Sequence, residues 1–163
     1  IAWSNEIRQI LLAYTPFKQT IEFFCYWIEQ GVAIIELLLF RNEEDLWKIK
    51  GDVKNSAGNL FLHLNGNLNH FIGSVLGSSG YDRERDKEFS SRNVPREKIL
   101  TDLEKTTTVV MNTLRNLPED IFEKDYPLEK HDRVVKTDHM LMHLLTHLNY
   151  HLGQINYLRR LTE

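Results

Sequence analysis

Histidines occupy positions 139, 143, 147 and 151, each four residues after the last, in the segment TDHMLMHLLTHLNYHLGQINYLRRLTE (137–163). Imidazole nitrogen is a metal ligand, held at about 2.0–2.1 Å from a zinc ion. On an α-helix, residues four apart share a face, with Cβ atoms roughly 5–6 Å apart, so two neighbouring rings can converge on one ion. All four cannot. Each four-residue step turns the helix by about 40°, which splays His139 and His151 about 120° apart. The segment therefore offers an adjacent pair, and the remaining ligands must come from other parts of the chain.

A second helical stretch supplies the candidates. His63 and His70 lie seven residues apart, so they fall on one helix face. Three imidazoles with one open position can activate a water or bind an anion such as a thiolate. On the C-terminal segment, His143, His147 and His151 run beside the apolar stripe Leu141, Leu144, Leu145, Leu148, Leu152 and Ile155. A histidine bordering a core is costly to bury unless both ring nitrogens are satisfied. A metal satisfies one, and an acceptor behind the ring satisfies the other. The competing reading is a seam of partly exposed histidines bonded to their neighbours, and four-residue spacing alone does not separate the two.

These histidines need helices to carry them. Residues 4–14 read as a short amphipathic helix ended at Thr15-Pro16. Phe17 to Phe40 reads as a strongly apolar helix with Glu22, Glu29 and Glu36 on one stripe, buried on two or more sides. A kink is expected at Gly31, and Cys25 reads as a small core residue rather than a nucleophile. In the charged connection 42–54, Leu46 and Trp47 are the expected anchors. Asn55-Ser56 caps the next helix, which runs to about Gly77 with Leu60, Phe61, Leu64, Leu68, Phe71, Ile72 and Val75 as its buried stripe. His63, Asn67, His70 and Ser74 run beside that stripe.

Gly77 to Gly80 breaks the helix, and YDRERDKEFSSR (81–92) reads as a charged crossover loop. Pro95 opens a third long helix buried along Ile99, Leu103, Val110, Leu114 and Leu117, and Pro118 stops it. Residues 119–136 read as a loop with a short extended piece, after which Thr137 or Asp138 caps the last helix. Four substantial helices predict an all-α four-helix bundle, with a long crossover loop between helices 2 and 3 and a short extra N-terminal helix. Such bundles build metal sites from side chains on facing helices.

Composition bounds the rest. The chain has 163 residues, 42% apolar and 26% charged, and reads as one globular domain over 1–163. A net charge of −3, with basic and acidic residues interspersed, gives no footprint for nucleic acid. The single cysteine excludes an internal disulfide and fits a reducing compartment, so a cytoplasmic location is expected. The most apolar run, Gly31 to Phe40, is too short to span a bilayer and contains Glu36.

Three stretches carry a family resemblance: NSAGNLFLHLNGNLNHFI (55–72), GYDRERDKEFSSR (80–92) and HLLTHLNYHLGQI (143–155). Together they resemble the DinB-like superfamily of metal-binding four-helix bundles, which includes the YfiT-type proteins, over about residues 17–160. The most specific is the last, an H-x-x-x-H followed by x-G-Q-I. The resemblance implies a divalent metal on His63, His147 and His151, with His70 outside the ligand set. His139 and His143 exceed the usual pattern, which leaves a register using His143 and His147 open. His131 falls in a polar loop.

Around the ligands, Gly153 suggests close approach of a neighbouring backbone. Gln154 is placed to orient a ligand or a water, and Asn59 or Asn67 to bond the His63 ring. The Arg83, Arg85, Asp86 and Glu88 cluster either folds over the site mouth or stays solvated or pinned by weak ion pairs. The resemblance implies, as one function, a metal-dependent thiol S-transferase, or a related hydrolase or isomerase, using a low-molecular-weight thiol of the bacillithiol or mycothiol type. Chemically this is sound, because a coordinating thiol is deprotonated. No general base is evident, and Asp138 and Glu123 cannot be placed at the metal from spacing. The alternatives are a non-catalytic metal-binding or stress-associated protein, and a bundle whose histidines bind nothing. Zinc or nickel, and also iron or copper, suit three imidazoles. The excess apolar surface of the first long helix, and the resemblance, point to a homodimer; small-molecule thiols or electrophiles are the other partners expected, with no nucleic acid or membrane.

Overall fold

A computed structural model describes residues 16–37, 42–130 and 132–162. The expected helix over 4–14 and His131 lie outside the described residues. Four long helices carry the architecture: α1 (Pro16–Leu37), α2 (Ala57–Leu68), α4 (Arg96–Arg115) and α5 (Thr137–Thr162). A short helix α3 (Arg85–Ser90) and two 3₁₀ turns (Glu43–Trp47 and Glu119–Glu123) complete it. The protein is all-helical, with no named strand among the described residues. Each of α1 and α2 packs against both α4 and α5, so the four long helices surround a common core.

The apolar stripes meet there. Leu64, Ile72, Val110, Leu114, Leu141, Leu144, Leu148 and Ile155 are all 2% exposed or less. Burying such a side chain contributes about 1.5–3 kcal/mol, so the interior faces of α2, α4 and α5 hold the fold together. Cys25 is buried in the same core, and burial pushes its thiol up to about 11. It is therefore a packing residue and not a nucleophile. Leu46 is buried and Trp47 packs partly covered against the core, anchoring the 42–54 connection as expected.

α1 runs through Gly31 as one helix. A Cβ at that position would lie 3.0 Å from Leu148 Cδ2 and 3.3 Å from Leu152 Cδ1, so the glycine serves the close approach of α5. The Ser56 hydroxyl caps α2 by accepting from Asn59 N at 3.2 Å. Beyond Leu68 the helix continues as a π segment (Asn69–Ser74), with Val75 N donating to His70 O at 2.9 Å. Tyr126 secures this segment by donating its hydroxyl to Phe71 O at 2.6 Å. The expected extended piece is one antiparallel bridge between Asp125 and Lys136. Thr137 and Asp138 begin α5 as its first residues, and the Thr137 hydroxyl donates to Lys124 O at 3.1 Å instead of capping.

The crossover is not simply a loop. Its centre folds into α3, held against α2 by Asn59, whose side-chain amide donates to Glu88 O and Ser91 O at 3.0 Å each. Asn59 Oδ1 accepts from the Ser56 hydroxyl at 2.7 Å. One buried asparagine thus ties the start of α2 to the end of α3. Four-residue spacing makes Asn59 a candidate partner for His63, but its bonding capacity is used here instead.

Candidate metal centre

His63 projects from the middle of α2, and His147 and His151 from successive turns of α5, where the two helices pack together. Their ring centroids lie 5.1 Å (63–147), 5.1 Å (63–151) and 4.4 Å (147–151) apart. More telling are the nitrogens. His147 Nε2 is 3.3 Å from His63 Nε2 and 3.1 Å from His151 Nε2. Ligands about 2.0–2.1 Å from a tetrahedral ion are separated by about 3.3–3.4 Å, so these spacings suit one ion shared by three imidazoles. The three residues form a group able to hold a metal ion.

The far sides of two rings are fixed as such ligands require. His63 Nδ1–H donates to Glu88 Oε2 at 2.9 Å, and His151 Nδ1–H donates to Gln154 Oε1 at 2.6 Å. Each bond puts the ring proton on Nδ1 and leaves the Nε2 lone pair aimed into the cluster. Lone pairs of neutral rings facing one another at these distances repel unless a cation or proton lies between them. His147 is different: its Nδ1 is buried and finds no partner among the described residues.

Burial, reinforced by the neighbouring His151, His63, His143 and Lys130, pulls the His147 pKa down to about 3. Burial also lowers His151, against an opposing effect of the Gln154 bond. Both rings therefore stay neutral, the form that ligates. An unfolded chain takes up the His147 proton near its ordinary 6.5, whereas the folded chain waits until about 3. The metal-free protein should accordingly hold full stability above about pH 6.5 and lose it as pH falls toward about 3. One proton sets a ceiling of about 1.4 kcal/mol per pH unit, and partial exposure of His147 keeps the slope below it. Denaturant midpoints of chelator-treated protein measured through this window check the sign; a midpoint rising on acidification contradicts it.

Glu88 is the residue that spacing alone undervalued. It is buried on α3, and Arg83 grips it twice, through Nε to Oε1 at 2.7 Å and Nη2 to Oε2 at 2.9 Å. Burial pushes the Glu88 pKa upward, but hydrogen bonds from His63 and Arg83 outweigh it and hold the carboxyl below its ordinary value. Of the charged cluster, Arg83 and Glu88 thus lock the back of His63, whereas Arg85 lies over the Phe89 ring and Asp86 is exposed. A readable signal did exist. Gly66 sits inside α2 one turn after His63, and a Cβ there would overlap Glu88 Oε1. A glycine costs a helix interior about 1 kcal/mol, so a neighbour's close approach is a reason to place one.

The other sequence candidates separate cleanly. His70 stands two turns along from His63, about 10 Å away on the axis, and its ring packs against Phe71 instead. His143 places its ring 6.0 Å from that of His147 but is outside the converging group, and His139 is exposed. Asp138 and Glu123 are exposed and are not among its members. Asn67 is buried, but its Oδ1 has no hydrogen-bond partner among the described residues. Gly153 does not mark close packing: it is exposed, and a Cβ there would meet nothing within 4 Å. Gln154 does orient a histidine, and its Nε2 also donates to the Tyr150 hydroxyl at 3.1 Å.

A family described as "Protein of unknown function (DUF1572)" matches residues 26–163. No curated protein and no solved structure matches the chain.

Proposed function

The chain belongs to the DUF1572 family, and from that premise we propose that it is a divalent-metal protein of the DinB-like kind, a four-helix bundle that serves as a thiol-dependent S-transferase. The observation that carries the metal reading is the convergence of three Nε2 atoms, 3.1 and 3.3 Å from the central one. Two of the rings are held in the ligating tautomer by Glu88 and Gln154. Zinc or nickel suits such a nitrogen set best, with iron or copper as further choices decided by availability.

When bound, the ion would lower the pKa of a ligating thiol and hold it as the thiolate. The protein's own part is to supply three neutral imidazoles and keep their outward protons fixed on Nδ1 of His63 and His151. Phe89 packs its ring 4.9 Å from that of His63. In the reaction proposed, thiolate sulfur bonds to an electrophilic carbon and the leaving group departs with its electron pair. A non-catalytic metal-binding role is the second reading: among the described residues the converging group holds imidazoles alone, with no carboxylate in it to serve as a general base.

The rest of the proposal concerns setting. Phe23, Tyr26 and Trp27 are 49%, 54% and 41% exposed on one side of α1, an aromatic surface suited to pairing with a second copy. No described helix is long and apolar enough to cross a membrane. The lone buried Cys25 agrees with a reducing, cytoplasmic setting, and the net charge of −3 argues against nucleic acid.

Cobalt-loaded protein separates the two readings. A low-molecular-weight thiol should produce a thiolate-to-cobalt absorption band, and 1-chloro-2,4-dinitrobenzene should then be converted to its thioether with release of chloride. A band without turnover of this or other electrophiles leaves the metal-binding role and removes the transferase.

A further inference from the structure

A cleft of about 700 Å³ lies beside the histidine cluster, with His151 and Gln154 in its wall. The volume falls within the roughly 300–1,000 Å³ typical of small-molecule sites. Leu60, Val53, Leu158 and the rings of Tyr150 and Tyr157 supply apolar and aromatic surface, and Lys54 is the one charged residue among the lining groups. Gly153 also lines it. This glycine weakens its helix without relieving any contact, since a Cβ there would touch nothing within 4 Å. What its missing side chain leaves open is the cleft.

The geometry points to this cleft as the seat of the molecule on which the metal centre acts, a small compound with an aromatic or apolar body and one anionic group. The assignment rests on the metal reading above for its chemistry, but not for its binding. Tyrosine rings offer flat apolar faces to the body, and Lys54 offers the single counter-charge. Gln154 links binding to the centre, because the same amide bonds His151 on one side and Tyr150 on the other. An occupant touching Gln154 therefore bears on the orientation of a metal ligand.

Titration with 8-anilinonaphthalene-1-sulfonate, an aromatic anion whose fluorescence reports apolar surroundings, tests the cleft directly. The full chain should bind it saturably at one site. Gly153→Leu, which projects into open space and favours the helix, should weaken binding at least tenfold. Lys54→Ala should weaken it by a smaller factor, roughly two- to fivefold, the range of an exposed ion pair. Metal content measured on the same samples should be unchanged in both variants. Binding that neither variant alters assigns the dye to another surface, such as the α1 aromatics, and overturns the cleft. Absence of metal with cleft binding intact overturns the metal reading, and with it the cleft's chemistry, and spares the cleft as a binding site.

Discussion

His147→Leu should weaken zinc binding by at least about 100-fold and, in the metal-free protein, raise stability by about 1 kcal/mol. The first effect follows from position. His147 supplies the central nitrogen, within 3.3 Å of both others, so its loss leaves His63 and His151 without their common neighbour. Loss of an orienting partner behind a ligand already costs 10–100-fold in metal affinity, and loss of the ligand itself costs more. The second effect follows from burial. His147 Nδ1 has no partner among the described residues, and an unsatisfied buried polar atom costs about 1–3 kcal/mol. Leucine removes that cost and the facing lone pair together. Chelator competition gives the affinity, and urea unfolding of the chelator-treated proteins gives the stability. A variant less stable without metal would contradict the cost assigned to the buried Nδ1, and one of unchanged zinc affinity would contradict the ligand assignment.

Glu88→Ala carries the largest expected loss of stability, about 3–5 kcal/mol, because it strands a charge. The Arg83 side chain is 10% exposed and makes two hydrogen bonds to Glu88, with Nη2 also 3.3 Å from His63 Nδ1. Removing the carboxylate leaves the guanidinium buried without a counter-ion and His63 Nδ1 without an acceptor. Zinc affinity should drop 10–100-fold with it, as expected when the group orienting a ligand is lost. Replacing both partners, Arg83→Met with Glu88→Leu, should recover much of the stability, since apolar residues tolerate the site. It should not recover the zinc affinity. That split distinguishes a carboxylate that merely holds α3 in place from one that sets the tautomer of His63. Gly66→Ala reaches the same carboxylate by crowding and should lower the affinity with all three histidines intact.

Much of this arrangement was visible in the sequence, for reasons that also explain what was not. Four-residue spacing fixed which histidines share a face of α5, and the apolar stripes of α2, α4 and α5 are buried where the helical period put them. Periodicity describes one helix at a time. It does not say which neighbour approaches, so nothing at Gly31 revealed the contact with Leu148, while Gly153 read as a contact and proved open. The same blindness hid α3. Six residues of mostly charged sequence look solvated until Asn59 holds the Glu88 and Ser91 carbonyls and the Glu88 side chain turns inward. Choosing His63 over His70 took the family resemblance, since both fit the spacing; the structure brings only His63 to the α5 pair.

His63, His147 and His151 together should hold one divalent metal ion. Elemental analysis of protein purified without a histidine tag, beside His63→Ala and His151→Ala variants of unchanged helical content by circular dichroism, tests it most directly. About one equivalent of metal is expected in the parent and almost none in either variant. A parent that stays metal-free after incubation with zinc and with nickel, or variants that keep the full equivalent, would contradict it.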